Sequence, residues 1–355
     1  MLYFYKSISP HSIEYLQKYL NYFFAQLFLE VHSTYDHAHY IDADFKDIVD
    51  GYKIQVDDKL SAIFKAYMAL LPNENQIVKD AYATNNRIAD VCSMTLAPVK
   101  YAGLPATIRT PIESLYDNLW GDNKILGYTK VEAKCGTLKS HFNKFREKNE
   151  FVVCPFCGLE SLTCKSDDGK DDYDHYLPKA KYPFISVNFE NLLPMCHKCN
   201  SKSKVQVDTP FIPKTTTQRP LFYPFDSNTP THKIEIEITS TDTDLSNPAN
   251  WTLTIACEPT TNNTKKESWE SVFKIEKRYK SIIADESQIW FKWIRDKHRR
   301  MCKKDGAPYA TFYNDAIHQN NDYLNINKGI LMKAYQEFIL NDPDCEMKLS
   351  GKIVL

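Results

Sequence analysis

Two cysteine pairs carry the strongest chemical signal in the chain: Cys154-Pro155-Phe156-Cys157 and Cys196-His197-Lys198-Cys199. A C-x-x-C spacing lets two thiolates meet one ion from a single tight turn. Two such pairs complete a tetrahedral shell with Zn–S of about 2.3 Å. Gly158, directly after the first pair, suits the reversed backbone of such a turn. One pair alone would equally fit a redox site or ordinary buried thiols. Two pairs flanked by turn residues point to a structural zinc on Cys154, Cys157, Cys196 and Cys199. That shell leaves no open position, so the ion orders the chain rather than reacting. Thiolate zinc binding releases on the order of 10–16 kcal/mol in small peptides, enough to hold a segment with a thin core.

Between the pairs run Asp172-Tyr173-Asp174-His175-Tyr176-Leu177-Pro178-Lys179 and Asn188-Phe189-Glu190-Asn191-Leu192-Leu193-Pro194, and Asn200-Ser201-Lys202-Ser203-Lys204 follows the second pair. In order, spacing and residue type, this segment resembles the ββα-metal core of HNH endonucleases. That pattern has an Asp-His pair on the first strand, Asn-Leu before the second C-x-x-C, and His or Asn opening the helix after it. The resemblance covers residues 154–204 and nothing outside them. It implies that Asp174 and Asn200 ligate a catalytic divalent ion, that His175 is the general base, and that Asn191 ties the loop between the strands and supports His175. The wording is closest to the HNH subunits of bacterial anti-phage systems, the Septu type and retron-associated effectors. Such a subunit would work beside an ABC-type ATPase partner on phage or host DNA, or on tRNA.

The chemistry accounts for these residue types. Phosphodiester hydrolysis needs a nucleophilic water and relief of charge on the phosphate, which one divalent ion can supply. Mg²⁺ or Mn²⁺ prefers oxygen ligands, and Asp174 and Asn200 offer a carboxylate and an amide oxygen. Asn200, standing where many HNH proteins carry His, makes a zinc or nickel catalytic site the poorer fit; Asn is also a good helix cap. Strand neighbours face opposite ways, so Asp174 and His175 would approach a phosphate differently. An imidazole is suited to take a proton from water near neutral pH. Asp172 reads equally as a helper or a solvated loop charge, and His197 as an exposed or phosphate-contacting residue rather than a catalytic one. The helix lysine often found three places after the final His or Asn is Ser203 here, with Lys202 and Lys204 on either side. Lys179, Lys181, Lys202 and Lys204 are the expected contacts to the nucleic-acid backbone.

These groups must be positioned by the rest of the chain, which reads as α+β. Residues 1–150 are mostly helical, with amphipathic runs over His11–Val31, Asp58–Leu71, Pro111–Leu119 and Lys130–Asn149. Residues 151–205 form the nuclease-like core. Residues 206–355 begin with a Pro- and Thr-rich connection, then two alternating strands, Lys233–Thr239 and Trp251–Cys257. Helices follow over Ser268–Ala284, Ser287–Lys303 and Asn327–Leu340. The terminal regions are read as docking a partner or nucleic acid.

The 355 residues carry a net charge of −1, so any polyanion must meet local patches rather than a global basic field. One candidate patch is the helical stripe Lys292, Arg295, Arg299 and Lys303; solvated charge is its ordinary meaning. His32, Asp36, His37 and His39 have ligand-like types at a spacing that matches no metal site and read as surface. Ten cysteines in so long a chain fit a reducing cytoplasm better than a disulfide scaffold. No apolar run approaches the roughly 20 residues needed to span a bilayer. Two other readings stay open: a stand-alone restriction-like or mobile-element HNH endonuclease, and a zinc-ribbon scaffold without catalysis.

Overall fold

The structure, a computed structural model, describes residues 1–121, 123–163, 173–226, 233–242, 244–319 and 326–352. It is an α+β chain with the four cysteines at its middle. Helices α1 (Tyr15–Leu29), α2 (His37–Tyr40), α3 (Lys46–Gly51), α4 (Asp58–Met68), α5 (Pro72–Asn85), α6 (Ile88–Cys92), α7 (Ala106–Leu119), α8 (Thr129–Cys135) and α9 (Leu138–Lys148) lead into strands β1 (Tyr173–His175) and β2 (Leu192–Pro194). A hairpin of β3 (Lys233–Thr239) and β4 (Thr252–Glu258) follows. Helices α10 (Asn263–Phe273), α11 (Ile275–His298), α12 (Tyr309–Gln319), α13 (Gly329–Leu340) and α14 (Cys345–Ser350) close the chain.

Helix α1 forms because Leu16, Leu20, Phe23, Phe24 and Leu27 fall on one buried stripe. His11 caps the short 3-10 turn at its start by accepting the Ile13 N–H, and Glu30 ends it in the left-handed region at φ 56°. Where a single helix was expected over Lys130–Asn149, there are two. Gly136 at φ 77° terminates α8, and the Thr137 hydroxyl caps α9 by accepting the Ser140 N–H. The break expected near residues 285–286 lies instead at Lys274, which takes the left-handed conformation at φ 53° between α10 and α11. Helix α7 starts before Pro111. The carbonyl that this proline leaves without a donor belongs to exposed Thr107, where water can serve it.

Two apolar cores result. One gathers α1, α4, α7 and α9 around Phe24, Phe64, Tyr116 and Phe142. The other gathers the cysteine segment, the β3–β4 hairpin and α10, α11 and α13 around Phe156, Trp269, Tyr279 and Tyr335. The β1–β2 ribbon lies between them. Its register pairs Tyr173 with Pro194, Asp174 with Leu193 and His175 with Leu192. Directly paired residues share a face, so Leu192 joins the first core and Leu193 the second. Two strands of three residues cannot stand alone in water; here packing on both faces holds them.

Candidate metal and catalytic site

The first cysteine turn is built from backbone hydrogen bonds, with Cys157 and Gly158 N–H both donating to Cys154 O. Gly158 sits at φ 64°, a backbone conformation that favours glycine, and a Cβ there would lie 2.8 Å from Leu2 Cδ1, so the Leu2 side chain would have to move. The second turn repeats the device: Cys199 and Asn200 N–H donate to Cys196 O. The four sulfurs lie within 4.8 Å of one another, with Cys154–Cys199 at 4.0 Å and Cys157–Cys196 at 3.8 Å. A zinc tetrathiolate with bonds of about 2.3 Å has tetrahedral edges of about 3.8 Å, so the set fits one zinc ion. Burial pushes a lone thiol such as Cys154 upward in pKa, and thiolates crowded this closely need a cation. The Arg278 guanidinium on α11 adds charge at the rim, donating to Cys199 Sγ at 3.3 Å. Trp269 and Tyr279 donate to the carbonyls of Phe156 and Cys157 and so fasten the turn to the C-terminal helices.

His175 and Asp174 face opposite sides of the ribbon. His175 is buried, its ring 5.1 Å from Trp120 at the end of α7 and nearly perpendicular to it. Its Nε2 donates to Ser186 O at 2.9 Å, which leaves Nδ1 as the basic nitrogen. Burial, with Lys179 and Lys204 adding to it, lowers this imidazole to about 3, so it is neutral at ordinary pH. A polyanion close by would raise that value.

Asp174 is 6% exposed and lies on the side of the helical turn after Cys199. Lys204 Nζ donates to its Oδ1 at 3.1 Å and is 3.0 Å from Oδ2. Oδ2 is close enough for charge attraction but receives no aligned hydrogen bond. Burial raises the Asp174 pKa, and Lys204 opposes that rise. A desolvated carboxylate with one oxygen short of a donor suits a hard cation, and Asn200, on the adjoining turn, is half-buried.

That turn, Lys198–Lys204, is a π-helix: Val205 N–H reaches Asn200 O, five residues back. The wider turn explains the sequence departure. It carries the residue four places after Asn200 to where a residue three places on would lie in an ordinary helix. Lys204, expected at the surface to meet phosphate, is instead 1% exposed as a side chain and bonded to Asp174. Lys202 is exposed; Lys179 is half-buried with Nζ 3.5 Å from Asp117; Lys181 is half-buried and gives its carbonyl to Tyr101 N–H. His197 is exposed. Asp172 lies outside the described residues.

Asn191 is fully buried. Its Oδ1 accepts Leu177 N–H at 2.7 Å and its Nδ2 donates to Leu177 O at 3.0 Å, while its own carbonyl accepts Tyr176 N–H. It therefore ties the residues leaving β1 to those entering β2.

No family model matches the chain, and no solved structure matches it. Two curated proteins share part of it. Over 92 residues it is 36% identical to protein ea31 of Escherichia phage lambda, covering 22% of this chain and 27% of that one. Over 51 residues it is 39% identical to Septu protein PtuB of Bacillus thuringiensis, covering 14% of this chain and 18% of that one. The chain thus spans less than a third of the length of either relative.

Elsewhere, His37 is held by Asp57 at 2.7 Å and Asp50 at 3.2 Å. Among the described residues the four cysteines are the one group of three or more His, Cys, Asp or Glu side chains placed to share an ion, and no helix is long and apolar enough to cross a membrane. Sequence reasoning missed Trp120, Ser186 and Arg278. Trp120 and Arg278 reach the site from distant segments and Ser186 from the loop between the two strands, and none bears a motif; Lys204 was expected, but as a contact to a nucleic-acid backbone rather than to Asp174.

Proposed function

We propose that this chain is a metal-dependent endonuclease of the HNH type that hydrolyses phosphodiester bonds. The observation that carries the reading is the ribbon with Asp174 and His175 on opposite faces, braced by Asn191 and bordered by the cysteine-clamped turn that presents Asn200. Asp174 and Asn200 would hold Mg²⁺ or Mn²⁺, which when bound supplies positive charge to the scissile phosphate. His175 accepts a proton from water at Nδ1, its ring held by the Nε2–H bond to Ser186 O. The water oxygen joins phosphorus, the bond to the leaving sugar oxygen breaks, and that oxygen takes a proton from solvent. Exposed Lys202 and half-buried Lys179 and Lys181 are available to the phosphates on either side.

The similarity to a Septu protein supports a role in anti-phage defence; we propose in addition an ABC-type ATPase as partner and DNA, or else tRNA, as target. One observation favours a second reading: Lys204 on Asp174 would equally suit a zinc-clamped scaffold without catalysis. Purified protein is incubated with supercoiled plasmid or total tRNA and Mg²⁺ or Mn²⁺, alone and with a candidate ABC-type ATPase partner. Cleavage that requires the metal and disappears in His175→Ala is expected. Absence of cleavage under every condition, with zinc bound and the fold intact, would establish the scaffold.

A further inference from the structure

Helix α11 runs from the cysteine clamp to a surface of different character. Near its start Arg278 meets Cys199 Sγ. Trp293 stands on the same helix, about 22 Å further along the axis at 1.5 Å per residue. Trp290, Phe291 and Ile294 turn into the core. Ile289, Lys292, Trp293, Asp296 and Arg300 recur at helical spacing and so share one face, and all five are exposed. Trp293 is 54% exposed, and among the described residues its indole has no ring contact or hydrogen bond.

The chain around this indole is strongly basic. Residues 292–304 hold seven Lys or Arg and one Asp, in a protein whose net charge is −1. The structure sorts these cations differently from the stripe expected in the sequence. Arg295 is half-buried, Arg299 stands 3.8 Å from Asp296, and Lys303 donates to Ser350 O. Lys297 pairs with Asp315 at 2.6 Å. The side chains of Lys292, Arg300 and Lys304 are exposed and meet no acid among the described residues. Cations in the last turn of a helix complement its dipole, an effect that fades within one turn. That accounts for Lys303 and Lys304. It does not account for Lys292, three turns earlier, or for a bare indole between cations.

An exposed ring bordered by unpaired cations has the chemistry of a single-strand platform: an unpaired base stacks on the ring and the phosphates meet the charges. A duplex keeps its base faces stacked inside. A lipid surface requires a broad apolar face to enter the headgroup boundary, whereas this face offers Ile289 and Trp293. We propose that the exposed face of α11 around Trp293 binds single-stranded nucleic acid, with a base on the indole and phosphates on Lys292, Arg300 and Lys304. The surface shares no residue with Asp174, His175 or Asn200, so its binding does not depend on hydrolysis.

The full zinc-loaded chain is titrated into fluorescein-labelled oligothymidylate and oligouridylate of about 20 nucleotides, longer than the common site sizes. Anisotropy is read without added Mg²⁺ or Mn²⁺, from about 50 to 200 mM salt. Saturable binding that weakens with salt is expected. Trp293→Ala should weaken it about tenfold, and Trp293→Phe should restore most of the loss by keeping a ring to stack on. The triple variant Lys292→Gln/Arg300→Gln/Lys304→Gln should reduce the slope of log K against log salt by about 2. All positions changed are exposed, so parent-like melting is expected and is checked. No saturable binding would overturn the proposal, as would binding unaffected by Trp293→Ala and the triple variant. Equal competition by polyglutamate, which has charge without bases, would assign the face to an acidic protein segment instead. Binding to phosphatidylserine vesicles in place of oligonucleotides would assign it to a lipid surface. Metal-dependent cleavage retained without this binding would overturn the surface and leave the nuclease reading standing.

Discussion

Lys204 and Asp174 form a buried ion pair, with the ammonium 3.0 and 3.1 Å from the two carboxylate oxygens. Removing one partner of such a pair leaves the other charge stranded, at a cost of about 3–5 kcal/mol. Lys204→Met is expected to lower unfolding free energy in urea by about 3 kcal/mol at pH 7. If Asp174 also binds Mn²⁺, Mn²⁺ at about a hundredfold excess over Kd should raise the unfolding free energy of Lys204→Met by about 2–3 kcal/mol. An equal rise in the double variant Asp174→Asn/Lys204→Met, or no rise in Lys204→Met, would remove Asp174 from the ligand set.

The cysteine cluster predicts one zinc per chain by elemental analysis. Cys199→Ser should lose that zinc and melt far below the parent, because the clamp joins the ends of the segment around the ribbon. Arg278→Gln tests the charge at Cys199 Sγ separately. Loss of such a contact to a metal ligand commonly weakens metal affinity about 10–100-fold, readable in competition with a zinc chelator. Unchanged zinc affinity would mean that Arg278 serves packing only.

Asn191 makes both side-chain hydrogen bonds to Leu177 within a fully buried loop. Asn191→Leu leaves a buried N–H and a buried C=O without partners, at about 1–3 kcal/mol each. Urea unfolding should show a loss of about 2–5 kcal/mol. Asn191→Asp keeps the acceptor for Leu177 N–H but loses the donor. A smaller loss for the aspartate, growing as pH rises above its carboxyl pKa, is the expected pattern.

His141, buried against Tyr173, has its pKa lowered by burial to about 3. The unfolded imidazole titrates near 6.5, so between these values the unfolded chain binds the extra proton. Its contribution is present in full above about pH 6.5 and declines as pH falls toward 3, by up to about 1.4 kcal/mol per pH unit. His141→Gln keeps an acceptor for the Tyr173 hydroxyl but does not titrate. Unfolding curves at pH 7, 6 and 5 should show a shallower acid loss in the variant. Parallel losses would place the acid sensitivity elsewhere.

The zinc shell was legible in the sequence because a C-x-x-C turn fixes its two thiolates locally; only the meeting of the two turns required the fold. The β3–β4 hairpin followed from alternation, and the strand containing Asp174 and His175 from the resemblance; the resemblance also implied an Asn191 tie between the strands, which the structure makes to Leu177. The helix boundaries at Gly136 and Lys274 did not. Apolar periodicity continues across both breaks, and the left-handed residue that interrupts each helix leaves no mark in that pattern.

By itself, then, the sequence determined which atoms are available to ligate and accept protons, since those depend on residue type and short spacing. Tertiary structure decided their environment. It placed Trp120 and Ser186 against His175, put Arg278 on the thiolates and turned Lys204 inward onto Asp174. Each of these contacts joins separate turns, strands or helices whose approach is set by packing of two apolar cores, a property of the whole chain that no local pattern encodes.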